Sequence, residues 1–347
     1  MAQVLATDVV NALATKFAAR TVRQTNQACV LAQLLPVKPH TTGKQVSWDI
    51  EIADGTARNA TDGQDVSTYN ADLLVPAALP FCNYDDAIKI NGDAIDIARA
   101  TNNPEDLFDL VDRGLENAVR RIARTVSPLL YTGAAGAGGI VGMKAAGGTT
   151  GAFGTTGTYA GVVRGTYPSF VGNLSGNGAV LRDLTLDMLQ TWLDSIAVAS
   201  GKYPDFMVWG YALARKYAAM IQPDRRWNQD VVVGSRKVTL DAGWNALSYN
   251  NIPIIRDIDC PANSIFGINA GSTYIKQLTS RQDPAVMSAM KAMHGTAEHQ
   301  LGEGNIPLTI KVHSLAKTGD SEKLQAILKL ALVCDRPNEN GVLYDVE

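Results

Sequence analysis

The residues most used for metal and redox chemistry are scarce: 347 residues contain four cysteines and four histidines. Cys29, Cys82, Cys260 and Cys334 stand far apart, with no C-x-x-C pair. That removes a zinc ribbon and a redox dithiol, and leaves single cysteines acting as small buried hydrophobes. His294 and His299 are five apart, whereas an H-E-x-x-H metal pair needs four. Neither a metal nor a cofactor is expected. A membrane-length apolar run is also missing. The longest run near the C-terminus, Leu324 to Cys334, has 11 residues and includes Gln325 and Lys329, against about 20 for a bilayer helix. The opening MAQVLATDVV has no positive n-region and carries Asp8, so no signal peptide is read and a cytoplasm-like compartment is expected. No charge of one sign dominates. Lys+Arg 31 against Asp+Glu 34 gives -3, which argues against a generic basic nucleic-acid binder but not against a local basic patch.

Catalytic signatures are missing too. Fifteen of the 31 glycines fall between 133 and 178, where a phosphate loop would be sought. The nearest piece, Gly142-Met143-Lys144-Ala145, lacks the adjacent Gly-Lys and the hydroxyl that G-x-x-x-x-G-K-[ST] supplies. No G-x-G-x-x-G and no G-x-S-x-G elbow is present. The stretch reads as flexible loop and turn backbone.

What is present is apolar material, 46% of residues, enough for two domains or one large interrupted one. Val4, Leu5, Val9, Leu13 and Phe17 predict a helix over 4–20, within an amphipathic arm (1–35) ended by Pro36 and Pro39. Val46, Trp48, Ile50 and Ile52 then alternate with polar residues, which is strand spacing. A polar tip and a second extended stretch, 69–81, complete a long hairpin. A two-stranded ribbon is marginal alone, so the Trp48/Ile50 face should rest on this subunit or on a neighbour. Asn103-Pro104 opens the clearest helix, with a capping residue, proline at the first position and acids in the first turn. Leu107, Leu110, Val111, Leu115, Ala118, Val119, Ile122 and Val126 carry its stripe to about Leu130. Residues 184–222 read as helix, strand, helix, with Thr185 as cap and Gly201 as stop. Strands follow around 252–256 and 264–269, then a final hairpin, 308–315 with 324–333. No internal repeat is visible.

This order resembles the tailed-bacteriophage major capsid proteins of the Hong Kong 97 type. The resemblance is carried by the arm before a long hairpin and by the helix from Asn103 to Leu130. It also rests on "LTLDMLQTWLDSIAVASGKYPDFMVWGYALARKYAAMI" (184–221), "YNNIPIIRDIDCPANSIFGIN" (249–269) and the final hairpin (308–334). It implies an α+β subunit with an N-terminal arm (1–35) and an extended E-loop hairpin (36–88). A peripheral P-domain with a long spine helix and the glycine-rich loop (89–180), an axial A-domain (181–290) and a return to the P-domain sheet (291–347) complete it. It further implies pentamers and hexamers closing an icosahedral shell around double-stranded DNA. Assembly in a host cytoplasm, with scaffolding, portal and decoration proteins as partners, is the corresponding expectation. Because the chain opens almost directly on the arm, a separate scaffolding protein is expected.

The resemblance suggests roles for particular residues. Trp48 and Ile50, with the acidic tip Asp54, Asp62 and Asp65, would form an intersubunit clasp. Arg113, Arg120 and Arg124, spaced i, i+7, i+11 with Arg121 beside them, would form a DNA-facing strip, or else a solvated face or salt bridges to neighbouring subunits. Some relatives cross-link a lysine to an asparagine; Lys44 opens the hairpin, but no motif fixes a pair. Two other readings remain: an encapsulin-like compartment shell, and a hydrolytic enzyme using Asp85-Asp86 or Asp257/Asp259. Adjacent strand residues point to opposite faces, and Asp257 and Asp259 flank an expected turn where Asp is favoured. The protein is therefore expected not to be an enzyme.

Overall fold

The computed structural model describes residues 30–40, 43–53, 73–91, 93, 104–134, 139–146, 148–221, 231–233, 236–238, 247–278, 299–300, 309–315 and 321–347. The helix expected over 4–20, Cys29, His294 and the tip residues Asp54, Asp62 and Asp65 lie outside them, as does the side chain of Arg113.

The chain opens with α1 (Val30–Leu34), β1 (Val37–His40), the ribbon β2 (Gln45–Ala53) and β3 (Leu73–Pro80), β4 (Cys82–Asn91) and α2 (Pro104–Thr132). The glycine-rich region adds β5 (Thr158–Tyr159), β6 (Val162–Val163) and β7 (Asn173–Ser175). Next come α3 (Leu186–Ser200), β8 (Phe206–Trp209), α4 (Tyr211–Met220), β9 (Val231–Val233), β10 (Arg236–Val238), β11 (Leu247–Tyr249), β12 (Ile252–Arg256) and β13 (Ser264–Ile268). The rest is β14 (Thr273–Leu278), β15 (His299–Gln300), β16 (Thr309–Leu315), β17 (Ser321–Cys334) and β18 (Gly341–Tyr344).

Two six-stranded sheets organise these elements. β17 is the axis of the first. One edge pairs with β4 from Ser321↔Asn91 to Leu330↔Cys82, and the other takes β16 and then β14. Alternation decides which face is covered: Ala326, Leu328 and Leu330 are buried with Ile88 and Cys82. Against that face lies α2, 29 residues or about 44 Å of helix, burying Ala118, Val119, Ile122, Val126 and Leu130 at steps of one, three and four. Pro128 sits inside its last turns, and the Gly133 amide closes the helix on the Leu129 carbonyl at 2.8 Å.

The second sheet, ordered β11-β12-β8-β13-β18-β7, is covered on both faces. Met207 and Trp209 of β8 join Leu189, Trp192, Leu193 and Ile196 of α3 and Leu213 and Tyr217 of α4. Phe206 and Val208 point the other way, into the core shared with the first sheet. A strand sealed on both sides reads as a continuous apolar run, which explains FMVW. Thr185 accepts from the Met188 amide at 3.2 Å, and Gly201 closes α3 at φ 72, as the sequence predicts.

α1 stops at Leu34, just before Pro36. As for Pro39, its place is within a strand. It lies in β1, which pairs in parallel with β14 at the rim of the first sheet, where a missing N–H is tolerated. Leu31, Leu34 and Leu35 are buried in the main core, so the described end of the N-terminal segment is part of the body. The glycine-rich region, expected to be flexible loop, is instead built. Phe153 and Tyr159 are buried there, and the Gly172 position lies so close to the Phe153 carbonyl that a Cβ would stand 2.2 Å from it.

Candidate functional site

The ribbon uses its two faces differently. Register brings Val46 opposite Leu79, Trp48 opposite Ala77 and Ile50 opposite Val75, all on one face. Val46, Ile50, Ala77 and Leu79 are buried in the chain's own core, with Trp48 packed against it. The Ala78 amide adds a bond to the Ala160 carbonyl at 2.8 Å. Of the two partners left open by the sequence, this subunit takes Trp48 and Ile50, because the β5–β6 turn and β17 supply the apolar surface that a lone ribbon lacks. The opposite face, with Ser47, Asp49, Glu51, Pro76 and Leu74, is exposed, and Leu74 is 60% accessible.

The helix arginines are only partly a strip. Arg121 and Arg124 are exposed and Arg120 is half-buried. Arg121 is bonded to Asp86 of β4, Nε to Oδ2 at 2.5 Å. This ion pair lies within the chain, not between subunits.

Asp257 and Asp259 do more than shape a turn. Asp257 has no solvent exposure. It accepts from the Tyr131 hydroxyl at 2.5 Å, from the Asp259 amide at 3.0 Å and from the backbone of Leu31. Asp259 accepts from the Ser127 hydroxyl at 2.5 Å. One carboxylate thus ties α1 and the end of α2 to the turn after β12. Tyr131 also meets the Phe266 ring edge-on, centroids 5.1 Å apart. Burial pushes the Asp257 carboxyl above its ordinary range, against the bond from Tyr131. Burial, with Asp257 beside it, holds the Tyr131 phenol well above its usual value, so it stays a donor. The legible signal was two hydroxyls four apart, Ser127 and Tyr131, next to the apolar stripe of α2.

A second buried ion organises the glycine-rich region. Arg164, 2% exposed, donates to the carbonyls of Ala152 at 2.9 Å, Phe170 at 3.1 Å and Thr156 at 3.3 Å. Its guanidinium lies 5.4 Å from the Tyr159 ring centroid. Tyr159 in turn accepts from the Cys334 amide at 2.9 Å and so pins the loop to β17. Three carbonyls around a guanidinium make a fold node, not a phosphate cradle, since a phosphate needs donors. Cys82, Cys260 and Cys334 are buried free thiols. Among the described residues no group of three or more His, Cys, Asp or Glu is placed to hold a metal. No described helix is long and apolar enough to cross a membrane.

No family model matches the sequence, and a search of curated proteins finds no match. Solved structures do match. The chain superposes on the capsid asymmetric unit of cyanophage A-1(L) with TM-score 0.72 at 20% identity, covering 96% of this chain and 97% of that one. The capsid of the native GTA particle gives 0.58 at 12% identity, covering 96% and 95%. The holo-SrpI encapsulin complex from Synechococcus elongatus PCC 7942 gives 0.56 at 13%, covering 97% and 95%. The fold is therefore that of shell-forming proteins. Within that class it is the fold of tailed-phage major capsid proteins, as the order of elements suggested.

Proposed function

We propose that this chain is a major capsid protein. It assembles into pentamers and hexamers of an icosahedral shell that encloses double-stranded DNA, and it has no catalytic role. The observation that carries this is the superposition on the cyanophage capsid subunit over nearly the full length of both chains. In this reading the sheet around β17 with α2 is the P-domain and α2 its spine, and the sheet around β8 with α3 and α4 is the A-domain. The ribbon is the E-loop. Its exposed face, with Leu74, and its tip, with Asp54, Asp62 and Asp65, reach a neighbouring subunit, where charge sets register more than affinity. Scaffolding, portal and decoration proteins are the further partners, and the virion is the final location.

Negative-stain microscopy of the expressed chain tests the assembly. Closed shells or capsomer rings are expected, and a monodisperse monomer under all assembly conditions would defeat the reading. A second reading, an encapsulin-like compartment, is favoured by the SrpI superposition. Nuclease-protected DNA inside purified particles selects the first reading, and co-purifying enzyme cargo without DNA selects the second.

A further inference from the structure

We infer that the turn at Asn177-Gly178 is a site of spontaneous covalent modification: a succinimide forms there, and its hydrolysis products undo the tie between this turn and Asp345. The inference concerns the subunit alone and does not depend on the shell reading.

Asn-Gly occurs three times, at 91, 177 and 340. The side chain of Asn91, and Gly92, lie outside the described residues. The other two pairs have opposite surroundings. Asn340 has no solvent exposure. Its Nδ2 donates to Ser272 Oγ and the Arg336 carbonyl, and its Oδ1 accepts from the Asn269 amide. A Cβ on Gly341 would stand 2.7 Å from the Asn173 carbonyl, so that peptide is packed in place. Asn177 and Gly178 are exposed, and a Cβ on Gly178 would meet nothing within 4 Å. The Val180 amide donates to the Asn177 carbonyl at 3.2 Å. It closes a turn whose central residues, Gly178 at φ 64 and Ala179 at φ 67, are both left-handed. Asn177 Nδ2 donates to the Val180 carbonyl at 3.0 Å, so the side chain lies along the turn, toward the peptides that follow it. The amides of Asn177 and Ala179 each donate to Asp345 Oδ2 at 2.9 Å. The Gly178 amide between them donates to no group among the described residues.

A free, unshielded amide nitrogen beside an exposed carboxamide is what ring closure requires. The Gly178 nitrogen gives up its proton and attacks Asn177 Cγ. The new N–Cγ bond completes a five-membered imide. The Cγ–Nδ2 bond breaks, and Nδ2 leaves with that proton as ammonia. Water then adds to one of the two imide carbonyls and cleaves its bond to nitrogen. One opening gives aspartate, and the other gives isoaspartate, in which the main chain runs through Cγ. Nothing is oxidised or reduced. The Asp345 carboxylate nearby disfavours the amide anion, so closure is slow compared with folding. Either product places a second carboxylate in the turn that Asp345 holds, and the like charges repel. Isoaspartate also lengthens the main chain by one carbon, so the amides of 177 and 179 no longer converge on one oxygen. Ala179 and Asp345, at φ 67 and φ 59, are non-glycine residues in the left-handed region. Such conformations persist only where the surroundings enforce them. Asp345 stands between β18 and the Arg182↔Val346 bridge, so release of the turn also loosens the end of β18.

The test is peptide mapping by mass spectrometry of the unassembled full-length chain, held for several weeks at neutral pH. Modification exchanges NH for O in the peptide mass, and fragmentation separates isoaspartate from aspartate. Asn177 should convert at least about tenfold faster than Asn340, which reacts only when the core opens. In denaturant, where Gly follows both residues and no fold distinguishes them, the two rates should agree within about threefold. Asn177 intact in the folded chain while it converts in denaturant overturns the inference. So does Asn340 keeping pace with Asn177 in the folded chain. A tenfold ratio that persists in denaturant overturns it as well, because sequence and not fold would then set the rate. Hydrogen exchange reads the consequence. Amides of 173–182 and 341–347 should exchange at least about threefold faster in the aged chain than in the fresh one. Asn177→Gln, whose longer side chain would have to close a six-membered ring, should show no change over the same weeks. Equal exchange in fresh and converted wild type, or an equal rise in Asn177→Gln, overturns the claim that modification undoes the tie to Asp345.

Discussion

A carboxylate with no access to solvent is costly unless several donors converge on it. Asp257 has three such donors, from α2, from its own turn and from α1. Removing it strands the Tyr131 hydroxyl and two amides. Asp257→Ala is therefore expected to cost about 3 kcal/mol, read by urea unfolding of the dissociated subunit. The pH dependence follows from the raised carboxyl value. Folding favours the protonated form. This contribution is complete below the unfolded value of about 3.9 and is lost as pH rises through the higher folded value. Asn cannot titrate. The stability of the wild type minus that of Asp257→Asn should fall as pH rises above the unfolded value. A difference that stays constant or rises would show that the buried group is ionised throughout. Asn340 shows the neutral version of the same device. Its amide accepts from the Asn269 amide at 2.7 Å and donates to Ser272 Oγ and the Arg336 carbonyl, each at 3.0 Å. Asn269 and Ser272 lie in the passage from β13 to β14 and Arg336 and Asn340 in the passage from β17 to β18, so the bonds join the two places where the chain changes sheet.

At the scale of elements, local chemistry sets the boundaries. α3 begins where Thr185 can accept from Met188 and ends where Gly201 can take a left-handed φ. Thr185→Ala should cost about 1 kcal/mol by chemical denaturation. An unchanged midpoint would mean that packing of Trp192 and Leu193 alone fixes this end. Signals of this kind made α2, α3, α4, β8, β12, β13 and the β16–β17 hairpin legible in the sequence. Each rests on periodicity or a cap within a few residues. Features decided by distant partners were not legible. The alternation at 46–52 announced a one-sided strand, but not that β17 and the β5–β6 turn would cover it. Glycine abundance at 133–178 announced loop backbone. That Arg164 would gather three carbonyls depends on contacts six to twelve residues away. The spacing of Arg120, Arg121 and Arg124 was legible as a face, yet Arg121's partner, Asp86, lies 35 positions back.

For the whole molecule, the ribbon poses the question of which surfaces belong to the subunit and which to the assembly. Its inner face is committed: Ile50 is 9% exposed. Ile50→Ala should therefore destabilise the isolated subunit by about 2–4 kcal/mol, with any loss of assembly following from that. Its outer face is not committed, since Leu74 stands opposite Glu51 at 60% exposure. A large aliphatic side chain left open on an edge ribbon is an association hazard unless a partner covers it. Leu74→Ser should leave subunit stability within about 0.5 kcal/mol while lowering the yield of closed particles in a sedimentation assay. The two substitutions separate folding from assembly on one pair of strands. If Leu74→Ser assembles like the wild type, the ribbon touches its neighbours elsewhere, and the acidic tip alone would have to form the clasp.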